Sequence, residues 1–490
     1  MEYKREAFIG RLTYICSWLI LGGGIIAVFG KAIWADEAFS IRLSMQPVKD
    51  IIVLTAHDVH PPLYYLILKI GIWIGTTLLG VDILLISKAI SAIPYILLLI
   101  IWGTVVRKKK GIYYTGITAL LLVCMPNFLN YGIEVRMYSW ALLFVVISYI
   151  YSFKLIINYS YKNWIIFILS CILAAYTHYF AAVAAAIIYV YLFFKSSVAL
   201  KRKLCIICGG IAAILYLPWM LVVFEQMKTV KESYWIQNLT LADIKGFLYY
   251  AIAPPVGIMH ADEFAIILTA VIGLSGIAIL AANIKNKKET LGIAHALLGC
   301  AVLLITLAFG IIVSVLYKPV FVNRYMIPSL CCFWIGIGGI LYEIRRKKSS
   351  YILLILLIPC CILNVFSFIK TEVRYSREYA KLEQAIDRIE EDDLVVSDSA
   401  QIMYSLTLYL KNEGIIWDNK ENEIYNRIFP EVSSVKKTIN EVDYAGIKWI
   451  VQGETGSELL ERFEEQGYHC ELVGDYCIKW IKFKLYKVSS

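Results

Sequence analysis

The sequence predicts a polytopic α-helical membrane protein. It has about eleven transmembrane helices, further helices lying in the external interface, and a small C-terminal α/β domain outside the membrane. Three observations carry this. Hydrophobic residues make up 59% of the 490 residues and charged residues 17%, against roughly 25% charged in an average soluble domain. Apolar runs repeatedly approach or exceed the ~18 residues needed to cross a bilayer. After Lys370 the chain turns charged and amphipathic. The runs are too long and continuous for the alternating strands of a membrane barrel. A net charge of +9 does not indicate nucleic acid here, because the basic residues stand in short clusters between apolar runs. That is the positive-inside pattern of a protein whose partner is the lipid bilayer.

The basic clusters orient the chain. They are Lys4-Arg5, Arg107 to Lys110, Lys201 to Lys203, Lys285 with Lys287-Lys288, and Arg345 to Lys348. The first run, 12–33, lacks a small-residue cleavage site and reads as a signal anchor running from inside to outside. Runs 61–80 and 83–106 follow. If both crossed, Arg107 to Lys110 would lie outside, so one does not cross. Run 61–80 begins with Pro61-Pro62, carries Lys69 and is interrupted by Gly71 and Gly75. It reads as a helix in the external interface; the alternative is a short span that breaks the charge rule. The remaining spans are placed near 83–106, 112–130, 137–156, 164–177, 179–195, 203–223, 263–283, 291–316, 326–343 and 351–369. The N-terminus is then inside and the C-terminus outside. No metal spacing of cysteines is present; most of the twelve lie within apolar runs as small hydrophobes.

The two predicted domains are residues 1–370, transmembrane, and 371–490, external. In the second, Glu378 to Glu391 reads as a helix. "DLVVSDS" (393–399) and "GIKWIVQG" (446–453) read as strands. The segment from His469 onward reads as a hairpin turning at Gly474-Asp475. Cys470 and Cys477 could then face each other across the hairpin, and an external setting permits a disulfide.

This threading gathers the unusual polar residues on the external face. They are Asp36 and Glu37 in "WADEAFS", then Arg42, His57, Asp58 and His60 before the proline pair. Lys88, Glu134, Arg136, Tyr138 and His178 follow, then "YWIQN" (234–238), His260, and Arg324-Tyr325 in "FVNRYMIP". Ionisable groups at membrane depth are costly and tend to be functional. Cations can hold a phosphate, a carboxylate can take a proton from an attacking hydroxyl, and aromatics can stack on a sugar or line an isoprenoid groove. Each residue also has a plainer reading. Asp36-Glu37 could be a solvated helix end, Arg136 a partner of Glu134, Lys88 a snorkelling lysine, and Arg324-Tyr325 an interfacial anchor. His57 and His60 could be weak metal ligands, but a metal needs more ligands than that spacing supplies. Their shared face favours a site.

The ordered elements "WADEAFS", "HDVHPPLYYLIL", "ISKAISAI", "IEVRMYSWAL", "THYFAA" and "FVNRYMIPSL" resemble bacterial relatives of the protein O-mannosyltransferases and lipid A aminoarabinose transferases. These are GT-C glycosyltransferases of the dolichyl-phosphate-mannose-protein mannosyltransferase-like kind. The resemblance covers roughly residues 10–345. It implies an inverting enzyme in a bacterial plasma membrane, acting at the external face. The donor would be a polyprenyl-phosphate sugar, and the acceptor a glycan, lipid or protein hydroxyl. Asp36 would be the general base and Glu37 its helper. His60 stands where a basic residue precedes the proline pair in the aminoarabinose enzymes. Lys88 replaces an arginine usual at the head of the next span, which loses the bidentate fork. His60, Lys88, Arg136, Arg324 and Tyr325 form the expected phosphate-binding set; His57, Glu134, Tyr138 and His178 are the remaining substrate-binding candidates. No nucleotide loop is visible. A divalent metal is compatible with the reaction and not demanded by it. The competing readings are a transporter or flippase of a lipid-linked sugar, which predicts ionisable groups deep within spans, and a non-catalytic scaffold.

Overall fold

A computed structural model describes residues 2–28, 30, 32–196, 199–229, 236, 238–252, 290–347, 349–410, 412–417, 422–435, 446–454 and 458–489. The predicted span 263–283, His260 and most of the 234–238 loop lie outside these residues. Chain contacts group the protein into two compact units. The first comprises Met1–Ile26, Val59–Tyr64 and Ser91–Ile369; the second comprises Ala27–Asp58, Tyr65–Ile90 and Lys370–Ser490.

Among the described residues, seven helical stretches are long and apolar enough to cross a membrane. The protein is therefore a multi-pass membrane protein. In lipid every backbone polar group must be satisfied within its own segment, so apolar runs of this length become helices. The first helix is α1 (Glu2–Val28). Two short helices follow, α2 (Ala35–Met45) and α3 (Val48–His57). The proline pair stops the chain, and α4 (Leu63–Trp73) starts after it, ending in a π-helical turn at Ile74–Leu78. This stretch is among the shorter apolar helices, below crossing length.

The stretch Ile83–Cys124 has 42 residues. At 1.5 Å per residue that is about 63 Å, twice a bilayer core. It divides into α5 (Ile83–Ile101) and α6 (Arg107–Cys124), joined by a π-helical turn at Trp102–Val106. Gly111 breaks the helical path with φ 78° and ψ 170°, just after the basic cluster, where a turn is expected. α6 ends at Cys124 rather than near 130. Pro126 follows, Asn127 adopts φ 60°, and α7 (Phe128–Ile133) is a separate turn and a half.

The predicted spans that follow correspond to α8 (Tyr138–Ile157), α9 (Tyr161–Thr177), α10 (Tyr179–Lys195) and α11 (Ala199–Thr229). After α12 (Leu241–Ile252) come α13 (Leu291–Leu316) and α14 (Ile327–Ile344). α13 and α14 pack through glycines: a Cβ on Gly339 would meet the Gly292 carbonyl oxygen at 2.7 Å. Small residues at such crossings let backbones approach where no hydrophobic force joins helices.

α15 (Ser349–Ile386) departs from expectation. The predicted span 351–369 and the predicted helix at Glu378 are one continuous helix. From Lys370 to Ile386 there is no Gly or Pro to end it.

The second unit closes with a six-stranded sheet in the order β3-β2-β1-β4-β6-β5. Its strands are β1 (Leu394–Ser397), β2 (Gly414–Trp417), β3 (Val432–Val435), β4 (Ile447–Gly453), β5 (His469–Ile478) and β6 (Ile481–Ser489). β1 pairs in parallel with β2 and β4, and β2 with β3. β6 is antiparallel to β4 and β5. Helices α16 (Ala400–Leu406), α17 (Glu423–Ile428) and α18 (Leu459–Glu465) complete it. Val396, Trp417, Ile450, Leu459 and Phe463 form its core.

Two hairpin expectations are corrected. The turn is not at Gly474-Asp475, which lie within β5 beside a register shift. It is at Lys479-Trp480, because Ile478 pairs with Ile481. Cys470 and Cys477 therefore sit on one strand, about 23 Å apart at 3.3 Å per residue. They are free thiols and cannot bridge, since a disulfide needs Cα atoms within ~7 Å.

Candidate active site

In the first unit, three breaks between apolar elements present polar side chains. His60 precedes the proline pair, a position restricted to extended backbone. His178 interrupts α9 and α10 with φ −160° and ψ 136° and caps α10. A 3₁₀ turn at Asn323–Met326 offers Arg324 and Tyr325 ahead of α14. Tyr138 opens α8 just after Glu134 and Arg136.

These residues come together. The rings of His178 and Tyr325 lie 4.8 Å apart, His60 and His178 5.8 Å, His60 and Tyr325 6.0 Å, and Tyr138 and His178 5.9 Å. Arg136 and Arg324 act electrostatically on both His178 and Tyr138, and Glu134 acts on Tyr138. All of the group except Arg324 are buried. The Tyr138 hydroxyl has no hydrogen-bond partner among the described residues. His178 Nδ1 accepts the Phe180 backbone N–H at 3.2 Å, so in the neutral ring Nε2 carries the proton. Burial, reinforced by His60, Arg136 and Arg324, holds His178 well below the usual histidine range. His60, His178 and Tyr325 line a cavity of about 320 Å³ whose other walls include Phe180, Val223, Met227, Phe309 and Val313. His60, His178, Gln226 and Tyr325 are polar residues of an otherwise mostly apolar lining. Arg136 and Arg324 act on His178 from outside that lining.

In the second unit, Asp36 and Glu37 fall in the first turn of α2, where the helix dipole favours carboxylates. They differ sharply. Asp36 is half-buried, whereas Glu37 is fully buried. Glu37 accepts the Trp34 backbone N–H at 3.2 Å, closing the helix start, and pairs with Lys479. Lys88 is also buried and donates to the backbone carbonyls of Gly30 and Ala32, the latter at 3.2 Å. Glu37, Lys479 and Glu372 are its charged neighbours. His57, at the end of α3, bonds its own helix through Val53 O at 2.8 Å.

The second unit also contains residues that the sequence did not single out. Lys479 sits at the hairpin turn with φ 55°. Its neighbour Trp480 packs its ring 4.7 Å from Trp34. One signal was present. Apolar residues alternate on even positions at Tyr476 and Ile478, then on odd positions at Ile481, Phe483 and Leu485. That change of phase marks a two-residue turn at 479–480. Arg42 anchors α2 by donating to Thr407 O at 2.8 Å and pairing with Glu431 at 2.5 Å. No group of three or more His, Cys, Asp or Glu side chains suited to a metal occurs among the described residues.

No family model matches the sequence, and no curated relative matches it. The fold does match a solved structure. The crystal structure of ArnT from Cupriavidus metallidurans in the apo state aligns over 97% of this chain and 97% of that one, with a TM-score of 0.60 and 10% identity. This chain shares the fold of that structure, a GT-C-like architecture. Two more alignments score 0.42, each at 12% identity. One is to ArnT from Cupriavidus metallidurans bound to undecaprenyl phosphate, covering 97% of both chains. The other is to the Archaeoglobus fulgidus oligosaccharyltransferase in complex with Zn and sulfate, covering 89% of this chain and 68% of that chain. At such identities the GT-C likeness concerns architecture, and chemistry has to be argued from the residues.

Proposed function

We propose that this protein is a membrane glycosyltransferase that moves a sugar from a polyprenyl-phosphate donor to an acceptor hydroxyl at the external face of a bacterial plasma membrane. The observation that carries the reading is the cavity of the first unit. A hydrogen-bonding end, formed by His60, His178, Gln226 and Tyr325, is joined to an apolar wall, and two arginines act on His178 beside it, as a phosphate on an isoprenoid chain requires. Arg136 and Arg324 supply charge, while the neutral His178 offers an Nε2–H donor. The sequence resemblance and the GT-C fold support the same class.

The reaction is a displacement with inversion. The acceptor hydroxyl attacks the anomeric carbon from the face opposite the phosphate, and the bond to the phosphate oxygen breaks. Polyprenyl phosphate leaves with growing negative charge, which preorganised cations stabilise. Asp36 takes the hydroxyl proton. Asp36 is half-buried, while Glu37, locked by Trp34 and Lys479, fixes the helix start that carries it.

Purified protein incubated with radiolabelled polyprenyl-phosphate sugars and membrane extract tests this reading. Transfer of label to a membrane-derived acceptor is expected. Asp36→Asn should fold and bind the lipid yet transfer about 100- to 10 000-fold more slowly. Near-normal transfer by that variant removes Asp36 as the base; no transfer by the unaltered protein from any such donor removes the enzyme class.

A further inference from the structure

The first unit contains a second polar cavity that the transfer reaction does not use. It has a volume of about 240 Å³, with walls that include Trp102, Tyr149, Phe153 and Ile335. α8 connects it with the candidate active site: Tyr138 belongs to the one and Phe153 to the other. Fifteen residues of helix separate them by about 22 Å. The cavity lies at the end of the helices marked by the Arg107 to Lys110 cluster.

Three polar atoms at this cavity are buried without a hydrogen-bond partner among the described residues: Lys110 Nζ, the Tyr114 hydroxyl and His295 Nε2. The histidine tautomer follows from its contacts. The Tyr149 hydroxyl donates to the His295 carbonyl at 2.8 Å, so it can only accept from His295 Nδ1, 3.2 Å away. Nδ1 then carries the proton and Nε2 is a bare acceptor. Glu343, the carboxylate that acts electrostatically on Lys110, accepts the Gly292 backbone N–H at 3.0 Å. Leaving a buried polar group unsatisfied costs about 1–3 kcal/mol. Three around one cavity specify a ligand with an anionic acceptor for Lys110 and Tyr114 and a neighbouring hydroxyl or amine donor for His295. Lys109 and Lys154 add positive charge to the lining. The apolar walls suit a ligand that arrives from lipid, and basic pockets between membrane helices characteristically hold anionic headgroups.

We propose that this cavity binds a phosphate ester bearing an adjacent hydroxyl, the chemistry of an anionic glycerophospholipid headgroup. The full-length protein in detergent would be titrated with short-chain phosphatidylglycerol, with phosphatidylmethanol (same charge, no hydroxyl), with phosphatidylcholine and with inorganic phosphate, while its thermal unfolding is followed. Phosphatidylglycerol should raise the midpoint at the lowest concentration, phosphatidylmethanol should need several-fold more, and phosphatidylcholine should have no effect. Lys110→Met should weaken phosphatidylglycerol at least tenfold. Tyr114→Phe, which keeps the shape of the core, should weaken it several-fold without lowering the midpoint of the lipid-free protein. Equal protection by inorganic phosphate would keep the anion site but make the free ion its occupant. Equal response to phosphatidylglycerol and phosphatidylcholine, or an undiminished phosphatidylglycerol response in Tyr114→Phe, would overturn the proposal.

Discussion

At the scale of the residue, two buried groups have consequences that can be measured. His178 is held below its ordinary value of about 6.5. As pH falls through 6.5 the unfolded chain takes up a proton that the folded chain refuses, so stability is lost from there downward. The slope from this residue approaches ~1.4 kcal/mol per pH unit. Unfolding measured between pH 7.5 and 5.0 should show that loss, and His178→Gln should flatten it; equal slopes would remove the assignment. Glu37 is the second case. Cutting a buried ion pair on one side costs about 3–5 kcal/mol, because the other charge is stranded. Lys479→Met should therefore destabilise the second unit more than the double variant with Glu37→Gln does. Strict additivity of the two changes would mean that the pair is not coupled. The sequence disclosed these two residues unequally. His178 breaks an apolar run, and a histidine there stands out. Lys479 is one lysine among several in "IKWIKFK", and only the tertiary fold selects it.

At the scale of the element, membrane physics made the helices legible. Apolar length and basic clusters located α5, α8, α9, α10 and α13 closely, because lipid leaves the backbone no alternative. The short elements were harder. β2 and β3, of four residues each, carry too little alternation to stand out. The hairpin turn was misplaced because Gly474-Asp475 looks like a turn, whereas a lysine in the left-handed region does not. The α13–α14 crossing supplies a prediction. A side chain on Gly299 would press into the Cys332 backbone carbonyl, which cannot move aside. Gly299→Leu should cost about 1–3 kcal/mol or more. Gly210→Leu, on a helix face with nothing within 4 Å, should be neutral or stabilise by up to about 1 kcal/mol through helix propensity. Thermal unfolding of both variants in one detergent makes the comparison. Equal midpoints would mean that the glycine contact does not hold the crossing.

At the scale of the whole molecule, transferase and transporter make opposite demands. A transporter of lipid-linked sugar needs polar groups that continue from one face to the other. Apart from small hydroxyls such as Ser148 and Thr306, the polar residues described in α8, α13 and α14 of the first unit instead gather toward the two helix ends. Between them α8 presents Ala141, Leu142, Val145 and Val146, each fully buried. A sugar headgroup passing there would have to shed its hydration against aliphatic carbon, at a cost of several kcal/mol for the unpaired hydroxyls. A transferase needs no such passage, since donor and acceptor can both be engaged at one face. Liposomes reconstituted with the protein and a fluorescent polyprenyl-phosphate sugar separate these demands. Quenching from outside should reveal flipping no faster than in protein-free liposomes, while label is transferred to an acceptor supplied on the outer face. Protein-dependent flipping that survives Asp36→Asn would make the apolar section a gate and return the transporter reading to first place.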